Sequence, residues 1–206
     1  MRIHLFIIAI FFYTQNILAG ETITSNGVKV ELLVIQQNEI IIAKTEIVND
    51  GKSDVYVYKP QLPILKKDKN SADVYYELCG SMFKIISNDI IVKYVGDRCH
   101  YGGNDNDSSY WSKIRPGEKL TSSVNLNDMY SFPAGRRNYV IGIRYDFVND
   151  AWFTKKVKEE HKEGKTYLNR EGNSNEFTVS SNHYKIEIDG DILKSRYEYI
   201  DRLLRK

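Results

Sequence analysis

At 206 residues the chain has room for one domain or a tight pair of small ones. Its 42% hydrophobic and 27% charged residues form an ordinary globular balance that argues against disordered, collagenous and multi-span membrane classes. With 29 basic and 27 acidic side chains the formal charge is +2, so charge makes no case for nucleic acid or an anionic membrane as partner.

The chain opens with Arg2, a nearly unbroken apolar run over residues 5–13, and Ile17-Leu18-Ala19 before Gly20. That is the tripartite pattern of a secretory signal peptide over residues 1–19, cleaved after Ala19. The apolar run is about half of the roughly 20 residues a spanning helix needs, so no transmembrane segment is expected after cleavage. Removal takes only Arg2 from the charge count and leaves a nearly neutral exported protein, periplasmic or secreted.

Residues 28–35 and 39–48 read as neighbouring strands, the first alternating through Val28, Val30 and Leu32. Residues 49–54 are a turn by composition, residues 55–58 a short strand, and Pro60 and Pro63 mark a loop. Two apolar runs, 82–86 and 90–95, flank the turn-like Ser87-Asn88-Asp89 and predict a hairpin. A long polar stretch fills residues 96–112. Arg115-Pro116-Gly117-Glu118 is a turn, and residues 119–126 form a strand with Leu120, Val124 and Leu126 on one face. The cleanest strand is 138–147, with Tyr139, Ile141, Ile143, Tyr145 and Phe147 on its core face. Residues 151–162 suit a short helix, and 175–180 and 183–188 suit strands. Asp191 is placed to cap a final helix with Leu193, Tyr197, Ile200 and Leu204 on one stripe.

The predicted class is therefore all-β, an antiparallel immunoglobulin-like β-sandwich with a short C-terminal α-helical extension, a closed barrel being the main rival. The sandwich domain spans residues 20–180, and 181–206 supply a strand and helix that pack on it. Cys79 and Cys99 lie almost symmetrically about the 87–89 turn. In an oxidising compartment they are expected to close a disulfide across the hairpin, worth about 3 kcal/mol.

The segments Ile114-Arg115-Pro116-Gly117-Glu118-Lys119-Leu120, 124–132 and 135–141 carry a family resemblance. A proline-glycine turn leads into a strand, an Asp128, Tyr130 and Phe132 corner follows, and the next strand starts after Gly135. The pattern resembles bacterial immunoglobulin-like modules and is similar to the β-sandwich prodomains of deuterolysin-type metallopeptidases and to proteinase-inhibitor-like sandwiches. It implies the sandwich fold and makes residues 175–179 its last strand. Unlike those prodomains, this chain is expected to carry no zinc-peptidase domain after it. Tyr139 suits either a tyrosine corner, bonded to backbone near Asp128, or a plain core position.

Catalytic motifs are missing: no GxSxG, P-loop, GxGxxG or HExxH occurs, and no cofactor or metal site is expected. Asn104-Asp105-Asn106-Asp107 suggests calcium, but position twelve counted from Asp105 is Pro116, which rules out an EF-hand. The informative segment is 96–111. It is tied at Cys99 and combines Tyr101, Tyr110 and Trp111 with Asp105 and Asp107, the composition of a recognition loop. These five residues are the candidate protein-binding site, and the expected partner is another protein such as a secreted toxin or hydrolase. The leading expectation is an inhibitor or immunity protein. The alternative is a non-catalytic structural or assembly component of the bacterial envelope.

Overall fold

A computed structural model describes residues 24–67, 74–98, 110–151 and 176–194. They form antiparallel sheets, as the strand periodicity predicts. Strand β1 (Val28–Gln37) pairs along its whole length with β2 (Ile40–Asn49), from Val28 opposite Asn49 to Gln37 opposite Ile40. The two-residue connection Asn38-Glu39 works because Asn38 takes a left-handed φ of 54°, which asparagine tolerates better than bulkier residues. The later strand β9 (Lys119–Asn125) adds to β2 and completes a three-stranded sheet.

The larger sheet is organised by one strand. After β3 (Val55–Tyr58), β4 (Ile64–Lys67), β5 (Val74–Glu77), β6 (Phe83–Ser87), β7 (Ile90–Ile91) and β8 (Trp111–Ile114), β10 runs 14 residues from Arg136 to Asn149. Its first half pairs with β6 and with β12 (Tyr184–Asp189), its second half with β3 and with β11 (Glu176–Ser180). Strand β7 lies outside β6 and β8 outside β3. The five aromatic and aliphatic residues read as the core face of β10 are each at most 4% exposed, and they join Val28, Val30, Leu32, Ile41 and Ile47 in one apolar cluster shared by the two sheets.

Between β11 and β12 the register slips by one. Arg144 faces Ser180 while Ile141 faces Tyr184, so Ser181, Asn182 and His183 oppose only Gly142 and Ile143. This is a β-bulge. It is held by the Ser181 N–H on Ile143 O at 2.8 Å and the Ile143 N–H on Ser181 Oγ at 3.1 Å. The bulge leaves Asn182 buried beside β1. There its amide accepts the Leu32 N–H at 2.7 Å and donates to Leu32 O at 3.0 Å. Further along, the Gln36 amide does the same for the Asp189 backbone, with both contacts at 2.9 Å. Two side-chain amides thus supply rungs of a ladder that the backbones of β1 and β12 do not form.

Several expectations are corrected. The loop inferred from Pro60 and Pro63 is a 3-10 turn, Lys59–Gln61, leading toward the antiparallel pair β4 and β5, whose strand signal the charged sequence around it hides. The polar stretch ends in strand β8, which the sequence conceals because only Ile114 of its four residues is fully buried. The second arm of the 87–89 hairpin is only two residues long, because Tyr94 leaves β6 to bridge Tyr130. Cys79 therefore precedes the β6 ladder instead of facing across it. Asp191 sits inside a 3-10 turn, Gly190–Ile192, capped by Asp189, and Leu193 is extended, so no helix starts there. Residues 195–206, with the rest of the predicted stripe, lie outside the described residues, as do 152–162 of the other predicted helix and the signal segment.

Candidate functional site

Of the five predicted binding residues, Tyr101, Asp105 and Asp107 lie outside the described residues, as does Cys99. Tyr110 and Trp111 are described, both half-buried, at the point where the segment enters β8. Trp111 is not a loop residue. It is the first residue of that edge strand and stands opposite Tyr58 of β3, with ring centroids 5.2 Å apart and planes tilted by 54°. It also packs on Tyr56 and Val148, a small apolar cluster separate from the main core.

Polar contacts fix this surface. The Tyr56 hydroxyl donates to Asp150 Oδ1 at 3.0 Å, and burial foremost pushes its pKa up, with the Asp150 bond adding to it. Lys113 stands 5.6 Å from the centre of the Tyr56 ring and pairs with Asp54, whose hydrogen bond is the chief reason the ammonium is held more firmly protonated. Nearby, Gln61 brackets Asp146, donating to Oδ2 at 2.6 Å and accepting the Asp146 N–H at 2.7 Å, while Thr178 donates to Oδ1 at 2.8 Å. These contacts tie β10 to β11 and to the residue after Pro60.

The start of the 96–111 segment is anchored by a residue the sequence did not mark. The Tyr94 hydroxyl lies 2.9 Å from Leu78 O and 2.6 Å from Asp97 O and accepts the Gly80 N–H at 3.1 Å. It joins the backbone on both sides of Cys79 to the backbone just before Cys99. Cys79 itself is not a free thiol. A Cβ at Gly96 would come within 2.7 Å of the same hydroxyl, so any larger residue there would displace the Tyr94 ring. Tyr139 takes the core role: it packs edge-on against Phe132 at 5.4 Å, and its hydroxyl has no hydrogen-bond partner among the described residues.

A second concavity lies apart from this surface. A cleft of about 830 Å³ has as its floor the paired row Leu32, Thr45 and Ser122 of β1, β2 and β9, and Leu62, Pro63, Tyr76, Leu120 and Tyr184 line its walls. Thr45 Oγ1 is 2.5 Å from Ser122 Oγ and 3.4 Å from the hydroxyl of Tyr145, which belongs to the larger sheet. Among the described residues no group of three or more His, Cys, Asp and Glu side chains converges, and no helix is long and apolar enough to cross a membrane. No family model matches the chain, and no curated protein is similar to it.

Proposed function

We propose that the protein is an exported, non-catalytic immunoglobulin-like β-sandwich that binds another protein, and that it acts as an inhibitor or immunity protein occluding a secreted toxin or hydrolase. The observation that carries the reading is the half-buried Trp111 on the edge strand β8, packed on Tyr58 and Tyr56, with half-buried Tyr110 next to it in the chain at one root of segment 96–111. Aromatic anchors held on a rigid strand are what a protein interface needs. The Tyr94 hydroxyl, with a bridge proposed between Cys79 and Cys99, ties the backbone at Asp97 to Leu78 and Gly80 at the other root. Export rests on the signal-like residues 1–19.

The test is affinity capture from periplasmic and culture extracts with the wild type, Tyr101→Ala and Tyr110→Ala. A partner held by wild type should bind each variant about tenfold more weakly, at unchanged thermal midpoint. Equal capture by folded variants removes the loop assignment. The second reading, an envelope assembly component, is favoured by Ile90 and Ile91, which are 69% and 65% exposed on the outermost strand β7. It predicts concentration-dependent self-association by sedimentation, abolished in Ile91→Lys.

A further inference from the structure

The cleft over the small sheet is a separate matter from protein binding. Its floor breaks the logic of the core around it. In the three-stranded sheet the inward rows on either side are Val30, Ile47 and Leu120, and Val34, Ala43 and Val124, all apolar. The row between them is Leu32, Thr45 and Ser122. Two small hydroxyl residues occupy positions where packing alone would select branched aliphatics. They leave space and bring polar atoms into it, and such a departure from the local pattern marks function more often than structure. The volume lies within the range of small-molecule sites, roughly 300–1,000 Å³.

Charge narrows the ligand. The ionisable residues along the floor strands are Glu31, Lys44 and Glu46. Strand alternation turns their side chains to the opposite face of the sheet, where Glu31 pairs with Lys29 and Glu46 with Lys119. Among the described residues no charged side chain faces this interior, so burying an ion there would cost heavily. It does offer hydroxyl oxygens. Thr45 meets both Ser122 and Tyr145, contacts that occupy at most two of the three hydroxyl hydrogens, and the oxygen of Ser122, the half-buried member, keeps a lone pair for a donor brought by the ligand. Tyr76, 55% exposed, stands at the mouth.

We propose that this cleft binds an uncharged apolar molecule, of ring or short-chain form, that carries one O–H or N–H group and donates it to Ser122. The test is fluorescence titration of the full chain with 1-naphthol, naphthalene and 1-naphthalenesulfonate, without any protein partner. Saturable one-to-one binding of naphthol is expected, with naphthalene about fivefold weaker and the sulfonate excluded. Ser122→Ala should retain naphthalene and lose the preference for naphthol. Ser122→Leu, which fills the floor, should weaken both at least tenfold, and Tyr76→Ala at the exposed mouth serves if that variant does not fold. Naphthol binding that is absent, non-saturating, or unchanged in both Ser122→Leu and Tyr76→Ala would overturn the proposal.

Discussion

Tyr130 and Tyr139 are both buried, yet their hydroxyls have opposite surroundings. Tyr130 accepts the Phe83 N–H at 2.8 Å and donates to Phe83 O at 3.1 Å, so one phenol satisfies both backbone groups of a strand residue. The Tyr139 hydroxyl satisfies nothing. Removing a buried partner exposes the full desolvation cost of what it served, whereas removing an unpaired group does not. Tyr130→Phe should lower unfolding stability by about 1–3 kcal/mol in urea titrations, while Tyr139→Phe should be neutral or stabilising. The reverse order would refute this assignment. Glycines divide in the same way. Gly27 and Gly117 share a left-handed φ, 77° and 79°, but a Cβ at Gly27 would sit 2.5 Å from Gly51 Cα while one at Gly117 meets open space. Gly117→Ala should cost only the conformational term, about 1–2 kcal/mol, and Gly27→Ala clearly more, as compared by thermal melts of the two variants.

Among the elements, the seam between β1 and β12 is the least expected. A strand edge left open invites association with other chains, and here that edge is closed by Asn182 and Gln36. Leu32 and its neighbour Leu33 then have different dependencies. The Leu32 N–H points to Asn182, while Leu33 stands opposite Lys44 within the ladder. In Asn182→Ala the Leu32 amide should exchange hydrogen much faster while Leu33 stays protected, and global stability should fall by about 2–4 kcal/mol for the two lost bonds. Unchanged exchange at Leu32 would show that the seam is held by packing instead.

For the whole molecule, buried phenols dominate the response to pH. Burial pushes Tyr130 up to about 12 and also raises Tyr145, Tyr139, Tyr184 and Tyr56. The folded protein therefore holds these protons more tightly than the unfolded chain, whose tyrosines titrate near pH 10. The stabilisation is complete below about pH 10 and is lost as pH rises toward 12. Tyrosinate absorbance should appear in two phases, the later one coinciding with loss of the far-ultraviolet strand signal. A single phase near pH 10 with the fold intact would contradict this. On the acid side Asp189 is lowered by its hydrogen bond from Arg136, and Glu118 by the Arg115 backbone and side chain. Their contribution holds above the usual carboxylate range and fades as pH falls below about 4. Both are only half-buried, whereas Tyr130 and Tyr145 are fully buried, so the alkaline limit is the steeper one.

Local alternation was enough to place β1, β2, β3, β6, β9, β10, β11 and β12, and to say which face of β10 is buried. Period-two patterning is a property of consecutive residues, and a strand with one apolar face carries it wherever it pairs. Strand β8 and the β4 and β5 pair lacked that mark, the first because it has one fully buried residue and the second because charged residues break its apolar pattern. Partners and register were another matter. The one-residue slip that creates the Asn182 bulge, the choice of Tyr130 over Tyr139 as the hydroxyl that serves backbone, and the meeting of Thr45, Ser122 and Tyr145 under one cleft all join residues from about 40 to about 150 positions apart. Composition and spacing along the chain decided that this protein folds as antiparallel strands around aromatic and aliphatic residues. Its sites were decided only by folding, because they depend on distances between segments that no local pattern encodes.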